Sequence, residues 1–494
     1  MTSIFPTMDP RARASVDTLK FIVVGGGIAG LTCAYLLKKA GHRVVVLERS
    51  PRIGKMPIHH GGLRVPPNMT RLLQELPGTG ELLKTKATKI TGVLFHQCDS
   101  NNTAPELVGK LVYAEEMMSD LGADLYTITH KDFHDYLLSL CDSIAVELHY
   151  DFEVEDIITG IPGPTVIGKS GERVTGDIVI GADGKNSVTR KVLLNEQVEA
   201  EDEAEEADSL GIKGSFGLRK PAFPPLNALI GATMSIPISL IQSDPELTSL
   251  VHVGEQEIYA RMFMGNGTNI FISRYGPDRY ELALTYSTPP AFDVNDGDWL
   301  SGGTPTKDIL EKVEEYDFRI KKLIQLVPTC YWNVQNVHTL LRYISKLDQV
   351  VVIGDAAHAT YINGTHNTGA AFEDAFTLGQ LFSRLTPADS KLNASLLLNG
   401  YQQIRQKRTH ALEKSSMDTM ILMGLVPGPE RDGRNNGLRL TISLEGPDDA
   451  TLEHVWTEYS DQFDYESRDN VAEWWMNWAR PIKTRANLLV RRSY

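Results

Sequence analysis

A chain of 494 residues with 42% hydrophobic and 23% charged side chains has the composition of a globular protein of two or three domains, with enough apolar material for a large core. Its formal net charge of −14 argues against nucleic acid as a partner, and much of that charge is local: residues 196–208 carry eight acids and no base, the pattern of a solvated face. Four cysteines, Cys33, Cys98, Cys141 and Cys330, lie far apart without a CxxC pair, so neither a disulfide framework nor a metal site is expected.

Met1 to Asp17 lack the basic end and apolar core of a secretory signal and read as a flexible arm, so a cytoplasmic protein with idle sequons at Asn68, Asn101, Asn266 and Asn363 is expected. Two uncharged stretches, Phe21 to Leu37 and Pro221 to Gln242, are long enough to imitate membrane spans. The first is explained below by a different pattern, and the four prolines of the second suit strand edges and loops, so no integral membrane segment is expected.

Leu19 to Val24 is a short β-branched run that empties into Gly25-Gly26-Gly27-Ile28-Ala29-Gly30. Leu31 to Lys39 then reads as a helix stopped by Gly41, and Arg43 to Leu47 as a second buried strand ending at Glu48. Strand, glycine loop, helix, strand and terminal acid make a βαβ dinucleotide site. Gly25 permits the tight turn, Gly27 lets backbone approach a pyrophosphate, Gly30 lets helix and strand pack closely, and Glu48 stands where a ribose hydroxyl would donate.

Next comes His60-Gly61-Gly62-Leu63-Arg64-Val65-Pro66-Pro67-Asn68, whose glycines allow backbone to lie against a flat ligand, with Asn68 placed to cap a helix from about Met69. Ala123 to Thr129 reads as a strand, and His130-Lys131-Asp132-Phe133-His134 opens a helix. Two further strands, Ile178 to Ile180 and Gln349 to Ile353, each run into an acid beside a helix start, at Asp183-Gly184 and at Gly354-Asp355. After the second, a loop containing Thr368 and Gly369 leads to a helix with Glu373 and Asp374 in its first turn. Carboxylates at strand C-terminal ends are where α/β sheets hold polyhydroxylated ligands, although either acid could instead cap a helix.

Together GGGIAG with Glu48-Arg49, Ala182-Asp183-Gly184-x-x-Ser187 and Gly354-Asp355-Ala356-Ala357-His358 resemble the class A flavoprotein monooxygenases, especially the salicylate hydroxylase-like branch with many fungal members. The resemblance spans roughly residues 19–425. It implies an α/β fold: a Rossmann-like FAD/NAD(P)-binding domain in three pieces (17–95, 123–209 and 335–425), an inserted β-sheet substrate domain (210–334, joined by 96–122) and a C-terminal helical region (426–494). It implies FAD as cofactor, contacted by Gly25, Gly27, Gly30, Glu48, Arg49, Gly62, Asp183, Gly184, Gly354, Asp355, Thr368 and Gly369. Reduced flavin would find its negative charge stabilised at a helix N-terminus near Asn367 to Gly369. The family's arginine before an Asp-Leu-His turn has no counterpart, and counting back from Asp132-Phe133-His134 gives His130 as the candidate there. The proline that commonly follows GDAAH is replaced by Ala359.

For the substrate side the resemblance gives Arg219, at the end of Gly214 to Arg219, as a pocket cation, and Tyr275 after the strand Ile270 to Arg274. His252, Tyr259 and Arg261 are weaker candidates. Trp474, Trp475 and Trp478 read as a packing helix. The implied activity is an FAD-dependent monooxygenase that uses NAD(P)H and O2 to hydroxylate a phenolic or other electron-rich aromatic compound through a flavin C4a-hydroperoxide, with decarboxylation open for a carboxylated substrate. Epoxidation of an alkene or indole in secondary metabolism is the alternative chemistry, and a non-enzymatic flavin-binding regulator the alternative class. A halogenase lacks support because no W-x-W-x-I-P stretch is present, and a simple dehydrogenase would not need the Asp355 segment. With only one GxGxxG, NAD(P)H is expected to visit rather than own a domain. A monomer or homodimer is expected.

Overall fold

The computed structural model describes residues 18–51, 61–98, 104–197, 229–250, 258–287, 304–305, 307–327, 329–335, 340–359, 364–385, 391–442 and 449–479. Five strands form a wholly parallel sheet in the spatial order Val350–Val352, Ile178–Gly181, Lys20–Val24, Arg43–Leu47, Glu147–His149. Nearly every residue of the three central strands is buried, as continuous apolar runs require when both faces are covered. One cover is the Ile28–Lys39 helix, which packs against the Asn367–Phe382 helix. They approach closely because Gly379 has no side chain: a Cβ there would sit 2.7 Å from Leu36 Cβ.

A second, eight-stranded sheet is mixed and lies beside the first. Its order is Thr304–Pro305, Thr329–Gln335, Leu229–Pro237, Arg279–Ser287, Thr268–Tyr275, Tyr259–Met264, Gly92–Gln97, Glu106–Val112. All neighbours are antiparallel except Tyr259–Met264 with Gly92–Gln97. Side chains alternate along the strands. Met234, Ile236, Ile270, Ile272, Leu282 and Leu284 bury one face, with Val313, Tyr316 and Ile320 packed among them. The other face carries Thr233, Phe271, Tyr275 and Glu281, and it looks towards the parallel sheet's loop ends.

C-terminal helices complete the molecule. Lys391–Met423 is a 33-residue helix, Pro429–Leu440 lies across Glu106–Val112 with Leu438 against Gly109, and Ser467–Trp474 returns to the first core. Trp474 is buried there and its indole donates to Gln403 at 2.8 Å, whereas Trp478 is exposed. Among the described residues no helix is long and apolar enough to cross a membrane, and no group of His, Cys, Asp and Glu could hold a metal ion. All four cysteines are buried and none is in a disulfide.

Local expectations differ from the structure at three points. The first helix begins at Ile28 rather than Leu31, within the glycine loop itself. Asn68 does not cap its helix; Pro66 holds that position, and the Asn68 amide instead donates to Glu373 at 2.6 Å. Glu373 and Asp374 fall in the second turn of a helix that already starts at Asn367, and they serve a buried ion cluster rather than a helix end.

Candidate active site

The glycine loop divides its labour. Gly25 has φ +101°, donates to Leu47 O at 2.8 Å, and is so close to Ala182 that a Cβ would overlap its carbonyl. A Cβ on Gly30 would overlap Gly25 O, so this glycine is demanded by helix–strand packing. Gly27 is different: its φ of −75° suits any residue, and a Cβ there would meet nothing within 4 Å. The space before Gly27 is open.

Glu48 accepts backbone N–H donors from Gly26 and Ser50, each at 2.7 Å. A carboxylate has about four acceptor sites, so capacity remains for the hydroxyls of a ribose. Arg49 is exposed and does not border the cavity described below. His134 was not singled out by sequence as a loop ligand, yet its Nε2 lies 2.9 Å from Gly26 O and fixes the loop from the His130–Ser143 helix.

Two of the acids behave in opposite ways. Asp183 spends its carboxylate on its own chain: Ser187 Oγ donates at 2.6 Å, Thr189 N at 3.0 Å and Thr189 Oγ1 at 3.1 Å. Burial pushes this carboxyl up, and those donors oppose the shift. Its neighbours Gly184 and Lys185 border the cavity instead. Burial pushes the Lys185 ammonium down while the charge of Asp355 works the other way, so Lys185 and Asp355 are electrostatic neighbours across the cavity rim. Asp355 itself borders the cavity as the first residue of the short helix Asp355–His358.

Gly354, with φ +58°, holds Asp355 in place, and its N–H donates to Asp374 Oδ2 at 2.8 Å. The same oxygen lies 2.6 Å from His358 Nε2, and Asp374 Oδ1 accepts from Arg405 Nε at 2.7 Å. Glu373 pairs with Arg405 at 2.7 Å and with Arg408 at 3.5 Å. Burial opposes ionisation of both acids, but Arg408 and Arg405 outweigh it at Glu373, and His358 and Arg405 outweigh it at Asp374, so both carboxyls sit below their ordinary values. The histidine of Gly354-Asp355-Ala356-Ala357-His358 is thus part of a buried clamp. Thr368 and Asn367 border the cavity at the start of the Asn367–Phe382 helix, whereas Gly369 packs on Pro66, 3.3 Å from a Cβ built there.

Opposite stands the mixed sheet. The Tyr275 ring lies against Gly62, where any Cβ would overlap it, so the glycine at 62 is required by this packing. Arg64 stacks on Phe271, 3.8 Å from its centroid, donates to Thr365 Oγ1 at 3.3 Å, and hydrogen-bonds the Tyr275 hydroxyl. Burial pushes the Tyr275 phenol up. Glu281 is buried beside them, and burial, opposed by Ser235 and Arg279, pushes its carboxyl up to about 7. His130 borders the cavity from the side and its backbone N–H donates to Gly61 O at 3.0 Å.

The bordering groups share one cavity of about 340 Å³, which runs from Gly27 and Asp355 past Arg64 and His130 to Phe271, Tyr275 and Glu281. Sequence reasoning missed Arg64, Lys185 and Glu281; Arg64 directly follows the Gly61-Gly62-Leu63 stretch and Lys185 sits inside the Asp183 motif, so proximity to a motif was the available signal. Glu281 had none. Arg219 and His252 lie outside the described residues. Tyr259 and Arg261 do not face the cavity: their strand register pairs Arg261 with Ile272, on the sheet's core side, where it lies 3.3 Å from His96, and Tyr259 stands under Lys110 Nζ at 4.8 Å.

A family model described as an NAD(P)-binding Rossmann-like domain matches residues 23–64. The chain is 23% identical over 425 residues to the FAD-dependent monooxygenase OpS4 of Beauveria bassiana (strain ARSEF 2860), spanning 85% of this chain and 89% of the relative. It is 24% identical over 411 residues to hispidin-3-hydroxylase of Neonothopanus nambi, spanning 81% and 88%. The chain is a homologue of FAD-dependent monooxygenases. Among solved structures, CtdE in complex with FAD and a substrate aligns with a TM-score of 0.69 at 15% identity, covering 94% of this chain and 100% of that one. A salicylate hydroxylase substrate complex aligns with a TM-score of 0.64 at 19% identity, covering 92% and 97%. These likenesses establish the fold: a Rossmann-like α/β domain with an inserted β-sheet and C-terminal helices. The resemblance to monooxygenases drawn from three short motifs therefore extends to most of the chain.

Proposed function

We propose that this protein is an FAD-dependent monooxygenase that consumes NAD(P)H and O2 and hydroxylates a phenolic or other electron-rich aromatic substrate. The observation that carries the reading is a single cavity with two unlike walls, one made of the loop ends of a parallel nucleotide-type sheet and the other of the aromatic and polar face of a second sheet. The division of the chain into three cofactor-side pieces and an inserted sheet belongs to this reading.

The residues fit FAD. Open space in front of Gly27 lies at the N-terminus of the Ile28–Lys39 helix, where a pyrophosphate gains from free N–H groups and the helix dipole. Glu48 retains acceptor capacity that an adenosine ribose would use, and Asp355, at the cavity, would accept from the ribityl hydroxyls. The N-terminus of the Asn367–Phe382 helix, with Asn367 and Thr368 at the cavity, would stabilise negative charge on the reduced ring. When bound, FAD supplies electron transfer from NAD(P)H and delivery of one oxygen atom to the substrate.

The chain's own part is to place an aromatic ring and exclude water from it. Phe271 and Tyr275 provide apolar surface, and Arg64, which also lines the cavity, holds the Tyr275 hydroxyl. Arg219 stays a candidate pocket cation on sequence grounds alone. The test is a screen of aromatic ligands for stimulation of NADPH oxidation by the purified yellow protein, with product counted per NADPH consumed. A protein that binds no FAD overturns the reading; one that binds FAD but never oxidises NADPH supports the regulator instead.

A further inference from the structure

The sheet wall contains a carboxyl to which the proposed function gives no role. Glu281 lies on Arg279–Ser287, opposite Ser235 on one neighbouring strand and Ser273 on the other, so its side chain shares the cavity face with Thr233, Phe271 and Tyr275. It is 7% exposed. One end of the carboxyl is supported by a short relay in which Arg279 Nε donates to Ser235 Oγ at 2.5 Å and Ser235 hydrogen-bonds Glu281. The other oxygen, Oε2, is buried and accepts no hydrogen bond among the described residues. A buried acceptor without a donor is destabilising, and a carboxylate in that position more so, so such a group at a cavity wall calls for a ligand that donates.

The geometry points to Glu281 as the residue that accepts a hydrogen bond from the substrate's hydroxyl, making the cavity select neutral phenols over aromatic carboxylates. This rests on the monooxygenase reading and deepens it by naming the substrate class. The charged and titratable groups around Glu281 are Arg279 on its own strand, Tyr275 on the adjacent strand and Arg64 beyond Tyr275, with Lys185 and Asp355 on the opposite wall. Arg64 is already engaged with Phe271, Thr365 and Tyr275, and Arg279 with Ser235, so a substrate carboxylate beside Glu281 would meet a like charge at close range.

The consequence is a pH dependence of opposite sign for two ligands. A carboxylate accepts a neutral phenol's hydrogen bond more strongly than a protonated carboxyl does, and burial pushes the Glu281 carboxyl up to about 7, so phenol affinity rises as pH increases through that range. An aromatic carboxylate is repelled by the same ionisation, so its affinity falls. Between about pH 6 and pH 8 each change is at most about tenfold, because the ionised fraction changes by about that factor.

The experiment is calorimetric titration of the FAD-loaded protein with resorcinol and, separately, with benzoate across this range, with FAD occupancy and NADPH oxidation measured on the same preparation. Resorcinol should tighten and benzoate weaken in the parent, and both profiles should flatten in Glu281→Gln. Ser235→Ala removes a donor that favours the charged form, so its midpoint should move to higher pH. Flat profiles in the parent overturn the assignment, as do equal profiles in parent and Glu281→Gln, or the absence of resorcinol binding at any pH. The parent profile decides the matter even where the glutamine variant does not fold. A preparation without FAD removes the monooxygenase reading and this inference with it, whereas a flat profile in an FAD-loaded protein that oxidises NADPH removes Glu281 alone.

Discussion

The two walls of the cavity are made by different means. On the parallel-sheet side the working parts are mostly backbone: a glycine loop, two strand ends and two helix N-termini, held by side chains that do not line the cavity, such as His134, Asp183 and Asp374. On the mixed-sheet side the working parts are side chains, Phe271, Tyr275, Glu281 and the intruding Arg64, carried on strands whose backbone is ordinary. A backbone site leaves a signature in sequence, because only certain residues permit its turns and close approaches. A side-chain site on a regular strand leaves almost none, since any residue can occupy an outward position.

The largest test of this contrast lies behind the backbone wall. Arg405 is fully buried between Glu373 and Asp374, and Arg405→Met would leave both carboxylates facing only Arg408, His358 and neutral donors. Removing one partner of a buried ion cluster costs about 3–5 kcal/mol. Urea unfolding should show a loss of that order together with weaker FAD retention, since the Gly354 N–H depends on Asp374. A stability change within 1 kcal/mol of parent, as an order of magnitude, would mean that the clamp is not needed to hold the loop.

Gly27→Val separates the glycines that fold the loop from the one that serves a ligand. Its Cβ enters empty space, so the apoprotein should fold as the parent does, while FAD affinity falls by about a hundredfold or more, roughly 2.7 kcal/mol. Gly30→Val should instead fail to fold, because its Cβ overlaps Gly25 O. Full FAD occupancy in the Gly27 variant would move the pyrophosphate elsewhere.

Sequence made the first wall legible in detail. The βαβ unit, Glu48 and the strand ends at Asp183 and Asp355 were all visible as residue order, and even the role of Gly25 as a turn residue matches its positive φ. What it could not separate was an acid that faces a ligand from one that caps its own helix: Asp183 and Asp355 occupy equivalent places, yet only the second borders the cavity. The difference depends on Ser187 and Thr189 being within reach of one carboxylate, a matter of tertiary geometry. Tyr275 was found through a resemblance in strand position, whereas Glu281, six residues later on the next strand, was not, because the hairpin register that aligns it with Ser235 is invisible in a single sequence.

Asp355→Ala tests that distinction directly. Loss of one charge-assisted hydrogen bond to a ribityl hydroxyl should weaken FAD binding by about 1.5–3 kcal/mol, read by flavin fluorescence on release. The matching change at Asp183 should act on folding and leave the affinity of the folded protein for FAD near parent, since its carboxylate is committed to Ser187 and Thr189. Equal losses of FAD affinity in the two variants would erase the difference between the acids.

The smallest expected effect concerns the second wall and asks whether Tyr275 is a chemical group or a surface. Its ring fills the space left by Gly62, and its hydroxyl is held by Arg64, so Tyr275→Phe keeps the packing and removes one hydrogen bond. The cost in stability should be about 1 kcal/mol. Burial pushes the phenol above its ordinary value, so Tyr275 stays neutral at every pH at which the enzyme would work, and it can donate a proton but not remove one. The variant should therefore keep the pH profile of ligand binding set by Glu281 and lose only some coupling, as Arg64 gains freedom and the substrate ring is held less firmly. Product per NADPH, measured beside the resorcinol titration, separates the two roles. A shift of the pH midpoint in Tyr275→Phe would make the tyrosine part of the proton-accepting machinery, and the sheet wall would then carry two coupled groups instead of one acid and one aromatic surface.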